Sequence, residues 1–385
     1  MFWRKAFQLK SITIALRDFA LPVPRTGSIE AHSGYGRAAE EGREIHVRVQ
    51  KKRLKSDAAY ESEVPVSCLF ERAGYRFRID GRMDGIFWHE LPMIEEIKTG
   101  FNIHDLSRRL SGNPLDHPYC LQLLTYGYFH WREHKILPKL SFHLVSLRSR
   151  QSADIDLQLD LASYENWLGR RLDELVVEVR KDEKLAARRR KLAAILAFPF
   201  ENPRPGQREI IRAIDEGMRE KRPMLIQAPT GLGKTAGILY PALREALGRG
   251  QKAVYVTPKN SQHSVAEDAV ARFQETGSKI KSFTITAKGK ICMKNEPFCN
   301  PDYCEYSRDY YSKVHEHGIL ELLAKKRKLS ARTFRELGAE YEVCPFELQL
   351  DGAREADVVI CDYNYVFAPR SAFGCRCRSS AVRRA

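Results

Sequence analysis

The chain has 385 residues, 43% hydrophobic and 29% charged, a balance that excludes a disordered polymer and suggests two to three domains. Lys and Arg number 64 against 49 Asp and Glu, a formal net charge of +15, which suits a polyanion such as nucleic acid and equally an ordinary basic enzyme. No stretch approaches the roughly 18 consecutive apolar residues of a transmembrane helix, and the cationic start at Met1–Arg17 lacks the apolar run of a signal peptide. The expected setting is cytoplasmic, with no membrane partner. Four of nine cysteines, Cys292, Cys299, Cys304 and Cys344, sit together, a pattern that in a reducing compartment reads as a metal site.

Along residues 1–163, short strands alternate with one helix. Tyr75 to Asp80, Met83 to Trp88, Met93 to Lys98 and Leu140 to Leu147 read as strands, and Tyr119 to His130 as a helix. Gly42-Arg-Glu-Ile-His46 places a histidine near a helix end. Asp84 lies in Gly81-Arg-Met-Asp84-Gly, followed by Glu95-Glu96-Ile97-Lys98. On a strand, Glu96 and Lys98 project from one face; on the next helix, so do Gln122 and Tyr126. Two carboxylates converging with a lysine suit phosphodiester hydrolysis with Mg²⁺ or Mn²⁺, the metal activating water and Lys98 orienting or polarising. Each piece alone also fits an ordinary surface sheet.

Residues 164–197 read as a charged helical linker, its run Arg188-Arg189-Arg190-Lys191 as a solvated face. Pro199, Pro203 and Pro205 then mark a seam. From 198 to 370 a strand–helix–strand rhythm argues a parallel sheet: Met224 to Ala228 as a buried strand, Lys234 to Leu247 as a helix, Lys252 to Thr257 and Asp357 to Cys361 as strands. Between strand and helix stands Ala228-Pro-Thr230-Gly231-Leu-Gly233-Lys234-Thr235. Such a loop cradles phosphates on its N–H groups; Lys234 reaches the terminal phosphates and Thr235 holds Mg²⁺. The expected cofactor is ATP with Mg²⁺. The four cysteines, with six, four and thirty-nine residues between them, suit either tetrahedral zinc or an iron–sulfur cluster. Residues 371–385 hold four Arg and no acid and read as a disordered tail.

Two resemblances organise these motifs. Phe198-Pro-Phe, Arg204-Pro-Gly-Gln207, the phosphate loop, Val254-Tyr-Val-Thr257, the cysteines and Ala356-Asp-Val-Val-Ile-Cys-Asp-Tyr-Asn-Tyr365 resemble the opening of an XPD/DinG-type superfamily 2 helicase. This implies a RecA-like motor domain. It implies a 4Fe-4S cluster on the four cysteines, in an insertion over about 288–348. Gln207, Thr230, Gly231, Gly233, Lys234 and Thr235 would bind nucleotide. It also implies 5′ to 3′ travel on single-stranded or forked DNA, in repair or processing. Asp362 offers an acid at a strand end, but in that family the segment precedes an Asp-Glu-Ala-His box and a second motor domain. Neither follows here, which reads as a truncated or frame-shifted chain that binds nucleotide without unwinding DNA.

The order His46, Asp84, Glu96-x-Lys98, Gln122-x-x-x-Tyr126 resembles the RecB-type PD-(D/E)XK nucleases over roughly 30–147. That implies a restriction-endonuclease-like mixed sheet. His46, Asp84 and Glu96 would be metal ligands, Lys98 catalytic, and Gln122 and Tyr126 supporting; Glu63 matches a further acidic position. The expected fold class is therefore α/β: a mixed-sheet domain, then a P-loop parallel-sheet domain with a cysteine-rich insertion. Rival readings are a non-catalytic DNA-binding scaffold and a zinc-containing nuclease with a vestigial phosphate loop.

Overall fold

The computed structural model describes residues 9–29, 37–100, 102–229, 231–258, 262–297, 299, 301 and 303–367, the side chains of 37–40 apart. The tail expected at 371–385 and Thr230 lie outside the described residues. The chain divides into two compact units, with the main boundary between Val179 and Arg180 and the segment from Gly27 to Ile29 grouped with the second unit.

The first unit runs β1 (Lys10–Ala15), α1 (Leu16–Phe19), α2 (Arg37–Ser56), β2 (Tyr60–Arg72), β3 (Tyr75–Phe87), β4 (Met93–Gly100), α3 (Ile103–Leu110), α4 (Pro118–His134), β5 (Lys139–Ser146), β6 (Ser152–Leu157) and the start of α5 (Leu161–Ala194). Its six strands form one mixed sheet in the order β1-β3-β4-β5-β6, with β2 also on β3. β4 and β5 run parallel; β3–β4 and β5–β6 are antiparallel. Local chemistry sets the helix starts. The Asn102 side chain accepts from the amides of His104 and Asp105. Pro118 opens α4 where a missing N–H costs nothing, and His117 Nδ1 accepts from Tyr119 N. α4 and α5 bury Leu121, Leu124, Tyr164 and Trp167 over Phe77, Ile79 and Phe142 of the sheet.

β3 is one strand, not the two expected, because Gly81 does not interrupt it. A side chain at Gly81 would lie 2.9 Å from Leu16, so glycine serves close packing rather than a turn. The pairing of β3 matters more. On one side β1 pairs only as far as Asp80, and β4 takes over only from Gly85. On the other side, β2 pairs at Val64–Met83 and at Ser62–Gly85, leaving Glu63 and Asp84 facing without a ladder pair. Glu63 itself sits at φ 58°, the left-handed region that non-glycine residues avoid. Asp84 thus stands where the ladder is open on both sides.

The second unit continues α5 and adds α6 (Gln207–Arg219), α7 (Lys234–Gly248), β7 (Ala253–Thr257), α8 (His263–Glu275), β8 (Ser282–Thr284), α9 (Lys288–Ile291), α10 (Tyr310–Glu316), α11 (Ile319–Lys325), β9 (Lys328–Leu329), α12 (Ala331–Tyr341), α13 (Pro345–Gly352), β10 (Val358–Asp362) and α14 (Asn364–Phe367). Its strands are all parallel, in the order β7-β10-β8-β9. β10 is central, and Val358 to Cys361 are buried throughout, as a doubly covered parallel strand requires.

Two expectations fail in this unit. Met224 to Ala228 forms no strand: Leu225 is 102% exposed and the segment pairs with none of the four strands. Apolar content marks a strand only when a neighbour receives its backbone groups. The run Arg188–Lys191 is also not simply a solvated face. Arg188 clamps the fully buried Asp357 with both guanidinium arms at 2.7 and 2.9 Å, and buried Arg189 donates to Asp357 at 3.2 Å and to Ala356 O at 2.8 Å. These bonds tie the second half of α5 to the start of β10.

Candidate functional site

The open position in the β3 ladder gathers the polar groups of the first unit. Ile97 N donates to Asp84 Oδ2 at 2.8 Å, a backbone-to-side-chain bond across the gap between β3 and β4. Glu96 and Lys98 share a face of β4, and Lys98 Nζ donates to Glu96 Oε1 at 2.7 Å and Gln122 Oε1 at 3.2 Å. Gln122 Nε2 donates to the Tyr126 hydroxyl at 3.2 Å, which donates to Arg82 O at 2.6 Å. The Tyr119 ring lies 4.4 Å from Lys98 Nζ. From the other direction, α2 brings His46 Nδ1 to 3.6 Å from Asp84 Oδ2. His46 lies in the middle of this helix rather than near its end.

Electrostatics follow from burial. Burial raises the Glu96 carboxyl above the usual carboxylate range; the Lys98 ammonium counters this and the Asp84 charge adds to it. For Lys98, burial alone favours the neutral amine, but Glu96 and Asp84 outweigh it and hold the ammonium above its ordinary value. Lys98 is therefore a fixed cation. Burial also pushes the Tyr126 hydroxyl up, so it remains a neutral donor. Glu96 Oε2 is buried with no hydrogen-bond partner. A like-charged pair with an orphan oxygen is donor chemistry that fits a hard divalent cation. Among the described residues, however, no three His, Cys, Asp or Glu side chains close on a single point to share a metal ion.

Spacing along the chain did not reveal the contribution of α2. Gly42 packs where an added Cβ would stand 3.0 Å from Thr99 Oγ1, which lets the helix approach β4. Two and three turns further on, its inner face delivers buried Gln50 and half-buried Arg53. Gln50 Nε2 donates to Asp84 O at 2.9 Å and Glu63 Oε1 at 2.8 Å, supplying hydrogen bonds the ladder lacks there. Arg53 pairs with buried Glu95 Oε1 at 2.8 Å. The signal available in sequence was the i, i+4 relation of Gly42, His46 and Gln50 on one helical face.

In the second unit the glycine loop and the start of α7 form as expected. Gly231 and Gly233 take positive φ values of 84° and 76°. Lys234 Nζ turns back onto Ala228 O at 3.0 Å and Pro229 O at 3.1 Å. Buried Gln207 braces the loop: its Oε1 accepts from Arg204 N at 3.1 Å and its Nε2 donates to Gly233 O at 3.0 Å. The Arg204 guanidinium donates to Gly231 O. Thr235 follows in the first turn of α7. Asp362 ends β10, its Oδ1 accepting from Asn364 N at 2.9 Å.

The four cysteines all lie in this unit. Cys299, Cys304 and Cys344 are buried and Cys292 is half-buried, each with a free thiol. Cys344 caps α13, and burial pushes its thiol up to about 12. Lys288 pairs with Cys299 and lies within electrostatic reach of Cys344. Free thiols beside a lysine are the donor chemistry of an anionic thiolate-held cluster, but among the described residues no three of them close on one point.

Comparison with known proteins reaches the second unit. The DEAD/DEAH box helicase family matches residues 204–297, and the DEAD_2 family matches 260–380. A probable ATP-dependent helicase of Methanocaldococcus jannaschii is 24% identical over 164 residues, 42% of this chain and 25% of that protein. The regulator of telomere elongation helicase 1 of Rattus norvegicus is 21% identical over 224 residues, 45% of this chain and 17% of that protein. The chain spans about a quarter or less of the length of these curated relatives. A solved XPD helicase superposes with a TM-score of 0.33 at 19% identity, covering 46% of this chain and 30% of that one. Among the described residues no helix is long and apolar enough to cross a membrane. Residues 204–297 are thus similar to DEAD/DEAH box helicases and residues 260–380 to the DEAD_2 family.

Proposed function

We propose that the chain joins an ATP-dependent DNA helicase motor region to a metal-dependent DNA nuclease. The observation that carries the nuclease reading is the linked set His46, Asp84, Glu96, Lys98, Gln122 and Tyr126 at the one position of β3 open on both sides. A divalent cation held by Asp84, Glu96 and His46 would supply water activation and charge stabilisation at the scissile phosphate. The chain's own residues do the rest. Lys98, kept charged by Glu96, faces a phosphate oxygen as a fixed cation or proton donor, not as a base. Gln122 fixes the Lys98 ammonium, and Tyr126 fixes Gln122 against Arg82 O.

In the motor region, the amides of Gly231 and Gly233 and the Lys234 ammonium would take the phosphates of ATP, with Thr235 on Mg²⁺ and Gln207 bracing the loop. The bonds from Lys234 to Ala228 O and Pro229 O are those that phosphate would replace. Cys292, Cys299, Cys304 and Cys344 would hold a 4Fe-4S cluster, visible as a brown protein with broad absorption after anaerobic purification.

Incubation of single-stranded DNA with Mn²⁺ tests the nuclease. Wild type cuts, and Lys98→Ala cuts at least about 100-fold more slowly, in line with loss of one preorganised charge. Equal rates sink the reading. Nucleotide binding lost in Lys234→Ala tests the motor region.

A further inference from the structure

The helix that completes the carboxylate site has a second face. Gly42, Ile45, His46, Val49, Gln50 and Arg53 of α2 turn toward the sheet and are buried or half-buried. Arg43, Arg48, Lys51, Lys52 and Lys55 turn outward and are exposed, with Glu44 beside them. Among the described residues none of these five cations has a hydrogen-bond or ion-pair partner. Cations elsewhere on the same unit do: Arg72 pairs with Asp173, Arg76 with Glu71 and Arg78 with Asp80. Unpaired like charges along one helix repel.

We propose that this outward face of α2 binds the phosphate backbone of a nucleic-acid strand and leads it to the carboxylate site that the inner face helps to build. The inference rests on the nuclease reading of that site. From Arg43 to Lys55 the helix rises about 18 Å. A nucleic-acid strand laid along that length places several phosphates within reach of these cations. A lipid surface fits less well. The apolar residues Ile45 and Val49 of α2 are spent against the sheet, and the exposed Val47 and Leu54 form no continuous apolar sector for insertion.

The test uses the full chain, a chelator to prevent cleavage, no nucleotide, and a fluorescein-labelled single-stranded DNA oligonucleotide read by anisotropy across a salt series. Replacing Arg48, Lys51, Lys52 and Lys55 together by alanine, the best helix former, leaves α2 intact. The expected result is a loss of affinity of at least about tenfold at low salt. The slope of log affinity against log salt should become shallower by about 3, close to 0.7 for each lost phosphate contact. Lys51→Arg with Lys52→Arg should retain wild-type slope, as charge and not residue identity matters. An unchanged slope in the alanine variant overturns the proposal. So does a variant that loses binding to phosphatidylserine vesicles but keeps its DNA affinity. Lys98→Ala separates the two readings: it should fail to cut, while its slope changes by no more than about 0.7, one phosphate contact, against about 3 for the alanine variant. Wild-type protein that never cuts, alongside an alanine variant with a shallower slope, sinks the nuclease reading alone and leaves the basic face supported.

Discussion

The two units treat their functional loops differently. In the first, a break in strand pairing at Asp84 is filled by side chains, Gln50 taking up Asp84 O and Asp84 itself taking up Ile97 N. In the second, the segment before the phosphate loop has no strand partner, and Leu225 projects fully into solvent. A helix start and a glycine turn can form from local sequence. A strand cannot, because half of its hydrogen bonds belong to someone else. The first unit gathers polar side chains at an unpaired position; the second sets a glycine loop beside an apolar run left uncovered.

Substitutions can break this comparison at several levels. The largest effect belongs to Asp357→Ala, which strands two guanidinium groups around a buried position; unfolding in urea should show a loss of about 3–5 kcal/mol. A loss under about 1 kcal/mol would mean that α5 is not held by this clamp. Next comes Gln50→Leu, similar in size but unable to satisfy Asp84 O. The expected destabilisation is about 1–3 kcal/mol, with slower DNA cleavage because the Asp84 backbone is no longer held; unchanged stability would remove Gln50 from the description of the site.

A smaller effect should follow pH. Burial lowers the pKa of His130, whose Nδ1 lies 3.1 Å from Ile136 O. Below the ordinary value near 6.5 the unfolded chain takes up a proton that the folded one resists, so stability falls as pH drops toward the folded value. In His130→Phe the fall between neutral and mildly acidic pH should be shallower, as thermal unfolding at the two pH values would reveal. The smallest effect is the most diagnostic. Leu225→Ser should change stability by no more than about 0.5 kcal/mol, as for an exposed residue. A loss of about 2–5 kcal/mol, the cost of truncating a core leucine, would restore the buried strand.

Much of the first site was legible because two fixed periods produce it. Glu96 and Lys98 meet by the two-residue repeat of a strand, and Gln122 and Tyr126 by the four-residue step of a helix. Gln50, Arg53 and Glu95 were not legible, since their pairing depends on where α2 crosses the sheet. The glycines and Lys234 of the phosphate loop could be read for the same local reasons. Met224 to Ala228 was misread because composition reports what a segment would bury, not whether a neighbour exists. Arg188 and Arg189 were misread in the opposite sense: a basic run resembles a wet surface until a buried acid such as Asp357 is known to face it.

The open ladder at Asp84 also sets a clock. Elsewhere in the sheet, β2 and β3 are locked by consecutive pairs from Tyr60–Phe87 to Arg72–Tyr75, and such amides exchange with solvent only when much of the unit opens. Between Asp80 and Gly85, one edge of β3 is held by side chains, among them the Tyr126 hydroxyl on Arg82 O. Those bonds can part singly while the sheet stays folded. Deuterium should therefore enter fast only at those amides of residues 81–84 that face this open edge, while those bonded to β2 stay slow, and anything that grips the site should close that window first.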